Sequence, residues 1–206
     1  MITDFKALTI PEGEVVKIED SQGRVLWQKA SPLPYDAEIE YLEGTGTQFI
    51  ELPIVISSLD STITVDGYVS MHNNELFSVN LSRTEQFNFE TGATYYRWFT
   101  NASLNAGAQL SVRNTWVCNA SLYRNGSIVG TLTDQSARTS TPVYIFKGLH
   151  GVAKGRVWSF STSGAVGGDV DLIPVRVGTT GYMYDKVSGQ LFGNAGTGSF
   201  GLGPDK

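Results

Sequence analysis

Six residues near the start of the chain, Glu38-Ile39-Glu40-Tyr41-Leu42-Glu43, have the types and spacing that acid/base chemistry uses. Retaining glycoside hydrolysis needs two carboxyl groups about 5–5.5 Å apart, and alternate positions on one strand face can supply that spacing. On an unbroken strand Glu38 and Glu40 share a face, while Glu43 points to the other side. The competing reading is a set of solvated carboxylates on an outer strand.

A second group combines rings with directional hydrogen-bonding groups. Gln86-Phe87-Asn88-Phe89-Glu90 and Tyr95-Tyr96-Arg97-Trp98-Phe99 flank Thr91-Gly92-Ala93-Thr94 and read as a hairpin. In the register that loop implies, Phe87 opposes Trp98 and Phe89 opposes Tyr96, an aromatic block for the core. The opposite face then presents Gln86, Asn88, Glu90, Tyr95, Arg97 and Phe99. Rings beside amide and charged groups suit a sugar, by stacking and hydrogen bonding. The same residues also suit an ordinary solvent-facing sheet. Loops 101–107 and 148–151 are rivals, because binding residues gather on loops.

Other chemistry has less to stand on. His72 and His150 lie in loop-like stretches, and neither has metal-ligand spacing to another His or to Cys. There is no Gly-x-Ser-x-Gly elbow to anchor a serine triad. The single cysteine, Cys118, excludes an intrachain disulfide and a cysteine zinc cluster. Its neighbours alternate as strand residues, which predicts a buried, inert thiol. Asp169 and Asp171 share a face if both lie on one strand, but calcium takes six to eight oxygens, and two carboxylates define no site. No metal or cofactor is expected.

The elements that position these residues follow from composition. The 206 residues include 23 glycines, charged residues are only 17%, and runs of helix-favouring residues are missing. That balance favours many short strands joined by turns. A net charge of −5 without any basic run argues against a nucleic-acid partner. The first residues lack a basic then apolar signal pattern. No apolar run approaches the ~18 residues that span a bilayer, so membrane insertion is not expected. The Asn-x-Ser sequences at Asn80, Asn101, Asn119 and Asn125 are read as products of composition.

In chain order, residues 1–34 read as a small unit and 35–206 as the main domain. Val15 to Glu19 and Arg24 to Gln28 flank Asp20-Ser21-Gln22-Gly23, a hairpin loop. The implied register pairs Ile18 with Val25 and Val16 with Trp27. A lone hairpin with such an apolar face must dock on the main domain or on another chain, so self-association is a partner expectation. Pro32 and Pro34 stiffen the connector. Ile63, Val65, Val69 and Met71 then alternate with Thr62, Thr64, Asp66 and Tyr68, giving one inner face. Leu76 to Leu81, Val143 to Lys147 and Arg156 to Ser161 supply further strands. Asn125-Gly126, between Ser121-Leu122-Tyr123-Arg124 and Ser127-Ile128-Val129-Gly130, is the strongest short hairpin signal. About a dozen strands result.

The end of the chain, Asp171 to Phe200, reads as strand, strand, turn, strand and a small-residue closing loop. Pro174 should lie at a sheet edge or in the first residues of its strand. Gly189 suits a turn position with positive φ. Gly193-Asn194-Ala195-Gly196-Thr197-Gly198 has the composition of a segment wrapped over something already folded.

This ending, with its Asp171-Leu172-Ile173-Pro174-Val175-Arg176, Tyr182-Met183-Tyr184-Asp185 and Asn194-to-Phe200 motifs, resembles the close of concanavalin A-like, laminin-G-like jelly-roll proteins of gut bacteria and their phages. Glu40-Tyr41-Leu42-Glu43-Gly44-Thr45-Gly46-Thr47-Gln48-Phe49-Ile50 is similar to the segment that opens their sandwich, and Leu122-Tyr123-Arg124-Asn125-Gly126 to a hairpin within it. Ile10 to Trp27 is similar to leader hairpins of phage tail and prophage proteins. The resemblance implies an all-β, two-sheet antiparallel jelly-roll sandwich. It further implies a non-catalytic, lectin-like module that binds carbohydrate or attaches to a surface, virion-associated or bacterial. Two alternatives stay open: a purely structural tail component, and a jelly-roll glycoside hydrolase using Glu38, Glu40 and Glu43. Against the hydrolase, Glu40 stands where that family has Asp.

Overall fold

The computed structural model describes residues 17–19, 22–28, 33–58, 60–72, 74–79, 88–91, 96–98, 103–104, 110–131 and 141–206. The chain divides into two compact units, Met1–Leu33 and Pro34–Lys206. In the first, β1 (Lys17–Glu19) pairs antiparallel with β2 (Val25–Gln28). Ile18 lies opposite Trp27 and Glu19 opposite Val25, with a bulge between. The predicted pairing of Ile18 with Val25 is thus displaced by two residues: Glu19 already pairs with Val25 rather than Arg24, and the bulge adds one more. Val16 lies outside the described residues.

The second unit holds β3 (Ala37–Glu38), β4 (Leu42–Thr45), β5 (Ile50–Leu52), β6 (Thr62–Val69), β7 (Asn74–Ser78), β8 (Asn88–Thr91), β9 (Tyr96–Trp98) and β10 (Ser103–Leu104). There follow β11 (Asn114–Cys118), β12 (Ser121–Arg124), β13 (Ser127–Thr131), β14 (Val143–Ile145), β15 (Lys147–Gly148), β16 (Gly151–Val152) and β17 (Lys154–Ser163). The chain closes with β18 (Asp171–Val177), β19 (Thr180–Asp185), β20 (Leu191–Phe192) and β21 (Gly201–Leu202). Among the described residues there is no helix, and every strand pairing is antiparallel. The strands exceed the expected dozen because several are two- or three-residue pieces of longer runs broken by bends.

One sheet runs β13-β12-β11-β6-β17-β18-β19-β20, with β4 and β21 continuing beside β17 and β3 beside β18. The other runs β10-β9-β8-β7-β14-β5. β6 shows why the larger sheet forms: Ile63, Val65 and Val69 are buried while Thr62, Thr64, Asp66 and Tyr68 alternate outward. Met71 falls beyond the end of β6 and is exposed, so it does not extend the inner face as expected. Rings from the two sheets interleave across the core: Phe77 lies 5.9 Å from Phe160, and Phe89 lies 4.7 Å from Trp116. The arrangement is β-sandwich-like, with Cys118 buried in the same core. Burial pushes the Cys118 thiol well above its ordinary pKa.

The aromatic hairpin forms with a different register. Phe89 opposes Trp98, Glu90 opposes Arg97 and Thr91 opposes Tyr96, two residues away from the expected pairing. Thr91 belongs to the strand, so the loop starts later than expected. A slip of two preserves the parity of the pairing, and Phe89 is buried as the alternation predicts. The expected strand Val143 to Lys147 is broken at Phe146, which is buried with φ +66°. Backbone bonds from Phe146 N–H to Leu76 and from Ala153 N–H to Phe146 hold it there.

Pro174 sits inside β18, with strands on both sides, rather than at an edge. It marks the point where β18 exchanges β17 for β3 as neighbour. Its carbonyl accepts from Ile39 N–H at 3.0 Å, and no return donor is needed where the partner changes. The closing loop behaves as its composition predicts. Ala195 and Thr197 N–H groups donate to the Phe49 and Thr47 carbonyls at 2.8 and 3.0 Å. β21 then pairs with β4, setting Leu202 opposite Leu42, and Ile39 bridges to Asp205.

Candidate functional site

The outward face of the larger sheet gathers the best-defined functional surface. Register places Glu43, Arg156 and Tyr68 in one row across β4, β17 and β6. Beside that row the β17 ladder bulges: Val157 lies opposite Gly67 and Ser159 opposite Asp66. Val157 and Phe160 are both buried, so the two residues between them, Trp158 and Ser159, face outward together. A bulge re-aims a side chain in this way, and here it lifts a tryptophan among outward tyrosines. Two glycines allow the strands to approach. A Cβ at Gly67 would meet the Arg156 carbonyl oxygen at 2.6 Å, and one at Gly155 would collide with the Tyr68 carbonyl.

The rings and charges interlock. Trp158 lies 5.2 Å from Tyr41 and 5.8 Å from Tyr68, tilted by 54° and 47°. The Arg113 guanidinium sits 4.5 Å over the Trp158 ring, and that of Arg156 sits 4.2 Å over Tyr41. Arg113 donates from Nε and NH2 to the Asp66 carboxylate at 2.6–3.1 Å. Arg156 donates to Glu43 Oε2 at 3.0 Å from both Nε and NH2. Hydrogen bonding to Asp66 raises the Arg113 pKa further, and Glu40 lies near enough to add to that effect. Burial raises the Tyr68 hydroxyl pKa, keeping it a neutral donor. The result is a half-exposed platform of three rings, with guanidinium planes lying over two of them and three carboxylates at its border.

The predicted carboxylate group is split by the fold. Ile39 and Leu42 are both fully buried although three residues apart, so the alternation slips at Glu40-Tyr41. Glu43 therefore comes to the outward side, contrary to the unbroken-strand expectation. Glu38 accepts from Tyr35 OH at 3.4 Å and faces Lys206 Nζ at 4.0 Å. Glu43 is held by Arg156, and Glu40 is exposed. The three carboxylates thus have different neighbours, and only Glu40 and Glu43 border the platform.

The predicted binding face lies on the smaller sheet. Gln86, Tyr95 and Phe99 fall outside the described residues. The backbone places Asn88 opposite Ser78, Glu90 opposite Glu75, and Arg97 opposite Glu90. Beside the β14 end of that sheet, Lys147 Nζ, from the separate β15–β16 pair, sits 3.9 Å over Phe49 and 4.8 Å from the Tyr144 ring centre. Loop 101–107 is described only at Ser103–Leu104. In loop 148–151, His150 Nδ1 lies 2.8 Å from the fully buried Glu75 carboxylate, for which Gly148 leaves room. His72 is exposed. Asp169 lies outside β18 and accepts from Ala165 N–H, while Asp171 pairs with Lys186 at 2.7 Å, so they share no strand face. Among the described residues no three His, Cys, Asp or Glu side chains cluster as metal ligands. Nor, among them, is any helix long and apolar enough to cross a membrane.

Sequence reasoning assigned Tyr68 and Asp66 to an outward face and Trp158 to a strand, yet did not join them. The available signal was the alternation of Asp66 and Tyr68 in β6 together with Arg156-Val157-Trp158 in a neighbouring strand. Comparison of the chain with protein-family models, curated proteins and solved structures finds no match.

Proposed function

We propose that the protein is a non-catalytic, lectin-like module that recognises carbohydrate on the outward platform of its larger sheet. The observation that carries this reading is the trio Tyr41, Trp158 and Tyr68, its tryptophan raised by a bulge, with the Arg113–Asp66 and Arg156–Glu43 pairs against it. The guanidinium planes over Trp158 and Tyr41, with the ring surface they leave open, offer flat packing for the C–H faces of sugars, while guanidinium, carboxylate and phenol groups hydrogen-bond their hydroxyls. A concanavalin A-like jelly roll, of the laminin-G-like kind found in gut bacteria and their phages, is the finer form of the proposal. It is supported by the two motif segments being neighbours in space, with Leu42 beside Leu202 and Thr47 beside Thr197. Such a module on a virion or bacterial surface would gain from repetition, since linked weak sites add avidity.

The test is retention on a glycan array, with wild type compared with Trp158→Ala and with Val187→Ala, an exposed position in a distant turn. The reading expects a signal lost in Trp158→Ala and kept in Val187→Ala. A protein that retains no glycan, yet self-associates, would be a structural component instead.

A further inference from the structure

The charges around the platform are arranged to cancel. Arg113 spends its Nε/NH2 edge on Asp66, and Arg156 spends the same edge on Glu43. That edge is one of the two forks, Nε/NH2 and NH1/NH2, with which a guanidinium grips a carboxylate by two parallel bonds. Glu40, near Arg113, adds a further negative charge. The remaining cation in this region, Lys154, lies opposite Thr45 and runs its stem against Gly46, away from the Arg156–Glu43 row. The platform therefore carries no surplus positive charge, on a chain whose net charge is −5. A carboxylate ligand would have to displace Asp66 or Glu43, or take the remaining NH1/NH2 edge of a guanidinium that one of them already neutralises, and in either case it lies beside a like charge. A neutral sugar faces no such repulsion: it packs on the guanidinium planes and the ring surface they leave open, and the unspent N–H groups of each guanidinium donate to its hydroxyls.

We infer that Asp66 and Glu43 are specificity-determining residues which keep the platform selective for neutral glycans by neutralising Arg113 and Arg156 and occupying one carboxylate-gripping edge of each. The inference rests on the carbohydrate-recognition reading and deepens it to a substrate class. Discrimination here works by exclusion: the built-in carboxylates remove an attraction that acidic sugars would otherwise find.

Calorimetric titration with neutral hexose oligosaccharides and with hexuronate oligosaccharides tests it, at about 50 mM and about 500 mM salt, where screening separates charged from neutral binding. Wild type is expected to bind the neutral set with little salt dependence, and the hexuronates at least about tenfold more weakly. Asp66→Asn, Glu43→Gln and the double variant are expected to gain hexuronate binding that high salt abolishes. Near-UV circular dichroism of Trp158 checks that the platform is intact. A wild type that prefers hexuronates, or variants with an intact platform and no hexuronate gain, would overturn the inference while leaving carbohydrate recognition standing. Failure of wild type to bind either set overturns the reading beneath it as well.

Discussion

Asp185 holds the turn between β19 and β20 with one carboxylate. Oδ1 accepts from the Asp171 and Val187 N–H groups, and Oδ2 accepts from Ser188 N–H and Oγ, at 2.5–3.1 Å. Burial alone would raise its pKa, but the four donors outweigh that and hold it below the ordinary carboxylate value. A depressed folded-state pKa stabilises the fold above the unfolded-state value, and that contribution disappears as pH falls through the folded-state value. Denaturant titrations from neutral pH downward should show wild type losing stability below about pH 4. Asp185→Asn should already be less stable at pH 7, by roughly 2–3 kcal/mol, and the two curves should converge in acid. The turn itself was legible, because Gly189 adopts φ +75° as its position demands. The role of Asp185 was not, since a buried aspartate and an exposed one look alike in sequence until the donors around it are known.

At the scale of elements, the seam between β6 and β17 decides whether the platform exists. Gly155→Ala would drive a methyl group into the Tyr68 carbonyl, and the backbone on both sides is fixed by ladder bonds. The expected cost is about 1–3 kcal/mol, read as a lower melting temperature, with glycan retention falling alongside it. A Gly126→Ala control, at φ +80° in the open Asn125-Gly126 turn, should cost about 1 kcal/mol and leave retention unchanged. That hairpin was readable because its turn needs two residues with positive φ, a purely local demand. The β17 bulge was not readable: it depends on which glycine faces which carbonyl across the sheet. The β8–β9 register failed for an intermediate reason. Two four-residue loops, one starting at Thr91 and one at Gly92, fit the same glycine-containing stretch, and nothing local to the hairpin's sequence selects the pairing of Phe89 with Trp98 over that with Tyr96.

At the scale of the whole molecule, the alternating strands and the wrapping composition of the last thirty residues made the all-β architecture legible. The exchange of neighbours at Pro174 needed the three-dimensional path, because proline in a strand reads as an edge whenever the partner strands are unknown. Gly196→Val would press against the Thr47 carbonyl and the Phe49 ring, lifting the closing loop. The expected result is increased dye binding at exposed apolar surface and a loss of at least about 2 kcal/mol in denaturant unfolding. The position of β4 carries a consequence for how the protein is made. Leu42 lies between Val157 and Leu202, and Ile39 bridges to Asp205. A nascent chain leaving the ribosome would present β4 early, with both of its flanking partners still to be translated. Folding of this domain must therefore wait until β17 and β21 have been made, and is slow on the millisecond-to-second scale set by distant pairings. Until then, the waiting apolar strands are natural clients for a chaperone.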